Sequence, residues 1–70
     1  MIFKTGDHIT IAADSRIVPG IVLFASENGH SLMLQFEAIL CGHAGMMPVL
    51  QEPDGGFVSL FGEPVTISRA

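Results

Sequence analysis

The stretch from Ile21 to Phe36 reads IVLFASENGHSLMLQF, two apolar runs separated by a polar segment that contains Asn28-Gly29. Asn-Gly between apolar runs is the strongest short-range signal for a β-hairpin, because both residues tolerate a positive φ. In the second run every other side chain is apolar, as in a strand with one buried face. The stretch therefore predicts a hairpin whose second arm buries Leu32, Leu34 and Phe36.

The segment from residue 31 to residue 43 also fits a helix. Side chains suited to a buried helix face recur at helical spacing, namely Leu32, Phe36, Ile39, Leu40 and His43. Ser31 is placed to cap the start of such a helix and Gly42 to end it. A mixed alternative has a strand to Phe36 and one helical turn near residues 38–41. The Asn28-Gly29 pair favours the strand.

Glycine and proline divide the rest of the chain at short intervals, which is typical of small β proteins. Pro19-Gly20 predicts the centre of a type II turn, because proline presets the first φ and glycine accepts the second. Pro48 has no N–H, so the strand predicted over Met46–Gln51 lies at an edge or carries a bulge. We expect one mostly β domain over residues 1–70, an SH3-like barrel or compact sandwich of five to six short strands.

The composition predicts self-association. Hydrophobic residues are 49% of this 70-residue chain and charged residues only 14%, against about 25% charged in an average domain. So short a chain has little interior in which to bury the surplus, and its single cysteine excludes a disulfide within it. Several predicted strands are apolar on both faces, so one face can pack in the core while the other contacts a second copy. We therefore expect a dimer or tetramer. Its contact residues are those predicted to lie on the outward face: Val22, Phe24, Met33, Val58 and Leu60.

Charge and patterning exclude several classes of partner. The formal net charge is −4, and the only cations, Lys4, Arg16 and Arg69, are scattered, whereas nucleic-acid binding needs clustered positive charge. No stretch approaches the ~20 apolar residues of a membrane span, and the start does not resemble a signal peptide. No phosphate-loop pattern is present. We therefore expect a cytoplasmic protein with no cofactor, no nucleic-acid partner and no membrane partner.

Two features carry candidate chemistry. Cys41-Gly42-His43 brings a thiol close to an imidazole, and both groups bind zinc or form nucleophilic pairs. A structural zinc site needs four ligands, however, and only two other histidines exist in the chain, so we expect no metal. Glu37 lies between Phe36 and Ala38, so we expect it to be partly buried, and a carboxyl group in such a place is a candidate general acid or base.

Two segments resemble known proteins. Residues 42–50, GHAGMMPVL, are similar to a segment of short uncharacterised bacterial proteins of the mobile-cassette kind, which implies a bacterial origin. Residues 3–9, FKTGDHI, resemble the opening of the plasmid-borne type II dihydrofolate reductases, which are short SH3-like barrels assembled as tetramers around a central pore. Val58-Ser59-Leu60-Phe61 lies where that family has an active Val-Gln-Ile-Tyr segment. Because Ser59 and Phe61 lack the amide and the phenol, the resemblance implies the barrel and the oligomer but not the reductase activity.

Two functional hypotheses follow. The first is a non-enzymatic oligomeric β module that binds a partner protein or a small apolar ligand. The second is a small enzyme whose site forms at a subunit interface, with Glu37, Cys41, His43 and Ser59 as candidate catalytic residues. An enzyme needs its polar groups to converge in a concave pocket, whereas a binding module does not. The positions of these four side chains therefore discriminate between the hypotheses.

Overall fold

The computed structural model describes residues 2–70, which fold into a closed antiparallel β-barrel. The strands are β1 His8–Ala13, β2 Arg16–Ala25, β3 Ser31–Leu40, β4 His43–Gln51, β5 Phe57–Ser59 and β6 Pro64–Arg69. Each strand pairs with the next one in the sequence, and β6 pairs with β1 to close the barrel. The prediction of a small, mostly β barrel of five to six strands is confirmed.

The prediction of a turn at Pro19-Gly20 is wrong. Pro19-Gly20 does not form a turn but lies inside β2, where Pro19 pairs with Thr10 of β1. The turn is formed by Asp14 and Ser15, whose φ angles are 54° and 59°. Two positive φ angles in a row make a type I′ turn, which matches the twist of the flanking strands. β2 therefore continues unbroken through the Pro-Gly pair.

The second predicted hairpin is confirmed, and its second arm is a strand as far as Leu40. No helical turn forms at residues 38–41, so both helical alternatives are wrong. The connection between β2 and β3 has five residues, 26–30, and of the Asn28-Gly29 pair only Gly29 has a positive φ, 76°. The Asn28 side chain shapes this loop by accepting the N–H of His30 at 3.0 Å. The β3–β4 connection is a second type I′ turn, with φ angles of 50° at Cys41 and 79° at Gly42.

Pro48 occupies an interior strand, not the edge or bulge that its missing N–H predicted. It pairs with Met33 of β3, but the pairing of β4 with β5 begins only at Val49. The proline therefore lies where β4 has a registered neighbour on one side alone. This position explains why a residue without an N–H is tolerated inside a closed barrel.

A bulge in β2 changes which side chains face outward. Val22 pairs with Leu34 and Phe24 with Met33, so Leu23 is an extra residue in the ladder. As a result Leu23 and Phe24 are 43% and 61% exposed, whereas Val22 is completely buried. The strict alternation that placed Val22 on the same face as Phe24 is therefore wrong. Val22 belongs to the barrel interior and cannot form an intermolecular contact.

The barrel interior is filled by side chains from all six strands. The fully buried ones include Ile9, Ile11, Val22, Leu32, Leu34, Leu40, Met47 and Val49. One end is closed by the segment that precedes β1, where Phe3 packs edge-on against Phe57 with a centroid distance of 6.1 Å. Arg69 lies over the Phe3 ring and bonds the Asp7 carboxylate at 3.0 Å. The two ends of the described chain are thereby joined.

Candidate functional site

The outer surface of β2 to β5 carries a contiguous apolar area. Register places Phe24 beside Met33, and Met33 beside Pro48. The neighbouring row places Leu50 beside Val58. We call this area the outer face and define it as Phe24, Met33, Met46, Pro48, Leu50 and Val58, none of which is charged.

The exposure of the outer face is unusual for so small a chain. Phe24 is 61% exposed, Met46 50% and Leu50 48%. Single exposed apolar residues are normal, but contiguous ones mark sites of interaction. Of the predicted contact residues, Phe24, Met33 and Val58 lie on this face. Leu60, which is 60% exposed, lies in the β5–β6 turn instead.

A groove of about 950 Å³ crosses β1 to β4 beside the outer face. Its central row is formed by four registered neighbours: His8, Ile21, Gln35 and Met46. Further apolar lining comes from Pro19, and Glu37 contributes a carboxylate. We call this feature the β1–β4 groove. Sequence reasoning missed it, because its shape depends on irregularities in strand pairing.

Two glycines and a bulge make this part of the barrel surface concave. A Cβ on Gly20 would lie 2.7 Å from the Gln35 carbonyl oxygen and 2.7 Å from Ile11 Cδ1, so β2 approaches its neighbours as only glycine permits. The registered pairing of β2 with β3 ends at Gly20 and Phe36. On β4, Gly45 has a φ of 80° and lies opposite a bulge at residues 36–38 of β3. The strands therefore bend away from a smooth cylinder at this point.

Cys41 lies in the β3–β4 turn at the barrel end opposite to Phe3. Its N–H donates to Asp14 Oδ2 at 3.4 Å, which links two type I′ turns. Burial, together with the carboxylates of Glu63 and Asp14 and a hydrogen bond to Glu63, raises the pKa of the Cys41 thiol. The thiolate is the nucleophile in cysteine chemistry, so this environment disfavours a catalytic Cys41.

The contacts of Ser59 and His43 at this end of the barrel also indicate structural roles. Ser59 is 2% exposed, and its Oγ accepts the N–H groups of Phe61 at 3.3 Å and Glu63 at 3.2 Å. These bonds shape the β5–β6 turn. The His43 ring stacks on Phe61 with a centroid distance of 5.9 Å. Its Nε2 atom is buried without a hydrogen-bond partner in the part of the chain that the structure describes.

The four candidate catalytic residues do not form one site. Cys41, His43 and Ser59 belong to the barrel end with the β1–β2, β3–β4 and β5–β6 turns, whereas Glu37 lies in the β1–β4 groove. Glu37 is also exposed, contrary to the partial burial expected from its apolar neighbours. Within residues 2–70, no three His, Cys, Asp or Glu side chains are grouped so that they could hold a metal ion.

We expect Cys41 in the folded protein to react with iodoacetamide at pH 8 at least about a hundredfold more slowly than in urea-unfolded protein. Burial blocks access to the sulfur, and its raised pKa leaves little thiolate. Mass spectrometry of timed samples gives both rates. Equal rates in the two states would contradict the buried position of the thiol.

A comparison with known protein families, with curated proteins and with solved structures finds no match for this chain. The resemblances to mobile-cassette proteins and to type II dihydrofolate reductases therefore stay predictions. Residues 2–70 include no helix of the length and apolar character needed to cross a membrane. The class that the fold defines is a small closed β-barrel, whose apolar outer surface carries a groove with one carboxylate.

Proposed function

We propose that this protein is a non-enzymatic β module that self-associates through the outer face. The observation that carries the proposal is the uncharged surface around Phe24, Met46 and Leu50, each about half exposed or more. Removing apolar surface from water yields roughly 25 cal/mol per Å² before the costs of association. In an isolated barrel this surface faces water.

The outer face has a suitable size for a subunit contact. A large side chain that is half exposed leaves on the order of 100 Å² accessible, given 150–250 Å² for a whole aromatic side chain. Phe24, Met46 and Leu50, with their partly buried neighbours Met33 and Val58, then supply nearly half of the about 800 Å² that each partner of a stable complex buries. Surrounding polar atoms supply the rest as a rim.

A second copy of this chain is the partner that fits best. The chain has a net charge of −4, which disfavours close approach of two copies in most orientations. The outer face has no charged residue, so two copies meet there without pairing like charges. A two-fold axis through the face gives a closed dimer, the commonest soluble homo-oligomer. The resemblance to tetrameric type II dihydrofolate reductases supports oligomer formation and an SH3-like fold.

A catalytic role receives less support. The candidate acid Glu37 lies four positions before Cys41 in the chain, on the order of 13 Å along an extended strand. Ser59 Oγ is engaged by two backbone N–H groups. We also propose that the protein is located in a bacterial cytoplasm, where a free, buried cysteine such as Cys41 is expected to stay reduced.

Multi-angle light scattering during gel filtration tests the proposal. At micromolar concentration we expect a mass of twice the 7.4 kDa of one chain, because burial of the outer face outweighs the association cost. Dilution into the nanomolar range should recover the monomer. A folded sample with the mass of one chain at every concentration would contradict self-association. It would indicate that the outer face binds a different protein.

A further inference from the structure

The dimensions of the β1–β4 groove suit a small ligand. Its central row, from His8 on β1 to Met46 on β4, spans three gaps between neighbouring strands. At about 4.8 Å a gap, this row is roughly 14 Å long. The volume of about 950 Å³ lies within the range of small-molecule sites, which are mostly apolar with a few polar groups.

The lining of the groove divides into an apolar floor and a polar rim. Ile21, Pro19 and Met46 supply apolar surface across the strands. Gly45 adds no side chain, so the floor stays open beside Met46. The Gln35 amide lies in the central row and offers both a donor and an acceptor. A ligand with an apolar body therefore finds a matching surface along the row.

The Glu37 carboxylate determines which ligand charge the groove favours. It is exposed on β3, and its carboxylate has neither a hydrogen bond nor an ion pair with any side chain in residues 2–70. The cations of the chain do not line the groove. Arg16 donates to the Ile39 carbonyl oxygen and Arg69 pairs with Asp7. Together with a net charge of −4, this arrangement attracts a cation and repels an anion.

We propose that the β1–β4 groove binds an amphipathic amine: an apolar body about 10 Å long, matched to the roughly 14 Å row, with a protonated amino group that pairs with Glu37. The apolar body lies along the row of Ile21 and Met46. This binding goes beyond self-association. Because Met46 belongs to both the groove and the outer face, the ligand and a second copy of the chain compete for this residue.

Octylammonium is the probe, because its chain is about as long as the row can hold. In a ¹H–¹⁵N correlation titration of the full chain, we expect saturable shifts at the Gly20 and Gly45 amides and at the Gln35 side chain. Octanoate, which has a similar body and the opposite charge, should leave these signals unchanged. The amide shifts report on the groove and the mass by light scattering reports on self-association, so the failure of either proposal is seen separately.

Two variants with a matched control locate the site. Glu37→Gln is expected to weaken octylammonium binding about fivefold, the upper range for an exposed ion pair, and to abolish its salt dependence. Glu27→Gln makes the same charge change in the exposed β2–β3 loop and should have no effect. Ala44→Phe fills the groove from an exposed position on β4 and should weaken binding at least tenfold.

Three results would overturn the proposal. The first is the absence of saturable shifts at Gly20 and Gly45 up to millimolar octylammonium. The second is octanoate binding as tight as octylammonium binding. The third is an equal loss of affinity in Glu37→Gln and Glu27→Gln, which would assign the effect to net charge and not to the groove.

Discussion

Replacing Gly20 by alanine is expected to lower the free energy of unfolding by about 2 kcal/mol, within the range measured for overpacked cores. The new Cβ would lie 2.7 Å from both the Gln35 carbonyl oxygen and Ile11 Cδ1, so β2 must move away from β3 or the core must repack. For a domain of this size, the loss corresponds to a fall in the thermal midpoint of roughly 10 °C. Urea and thermal unfolding followed by circular dichroism measure both quantities.

Gly56→Ala is the matched control for this change. Gly56 also lacks a positive φ, and a Cβ there would meet only the flexible Asp54 carboxylate at 3.2 Å. Alanine at such a position is neutral or slightly stabilising, because it reduces the freedom of the unfolded chain. If both variants unfold at the same urea concentration as the original protein, the close approach at Gly20 is not real.

The second large effect is expected for Phe24→Asp. If Phe24 packs at the centre of the dimer contact, losing it costs at least 2 kcal/mol, or about a thirtyfold weaker association. The two-fold axis also brings two new carboxylates close together. Because Phe24 is 61% exposed in the single chain, the barrel itself should stay folded. Sedimentation velocity over a range of concentrations gives the dissociation constant, and circular dichroism reports the fold.

Ile17→Asp provides the control for Phe24→Asp. Ile17 is on the same strand and is 75% exposed, but it lies near the β1–β2 turn, away from the outer face. The charge change is the same and the apolar loss is similar. Equal weakening by both variants would show that association responds to net charge, and the outer face would then lose its assigned role.

Local patterns predicted the strand positions because they depend on neighbours in the sequence. The alternation at Leu32, Leu34 and Phe36 gave the buried face of β3 correctly. Asn28-Gly29 gave the second hairpin correctly, although its loop is longer than two residues. Such signals are strong because one buried face fixes the register of a strand.

The errors have a common physical origin in tertiary pairing. Pro19-Gly20 has the local chemistry of a turn, but pairing with β1 on one side keeps it extended. The β1–β2 turn forms instead at Asp14-Ser15, in a polar segment typical of a loop, and both residues have positive φ angles. The pattern of alternating residues could not show the bulge at Leu23 either, because a bulge is a property of two strands.

Part of the candidate site could be predicted from the sequence. Phe24, Met33 and Val58 were assigned to a second apolar face and lie on the outer surface. Leu50 was missed, although it follows buried Val49 on a strand that was predicted. The β1–β4 groove could not have been found in this way. It depends on where the ladders of β2–β3 and β3–β4 stop, as at Gly20 and Gly45.

Closure of the barrel by β6 connects folding to the direction of synthesis. β1 is made first and β6 last, yet they are neighbours, with Ile9 opposite Arg69. A growing chain that ends before β6 can form its hairpins but leaves two open sheet edges, and such edges invite pairing with other chains. A chain that lacks residues 64–69 therefore exposes unpaired edges on β1 and β5, and the pairing of β6 with both strands removes these edges.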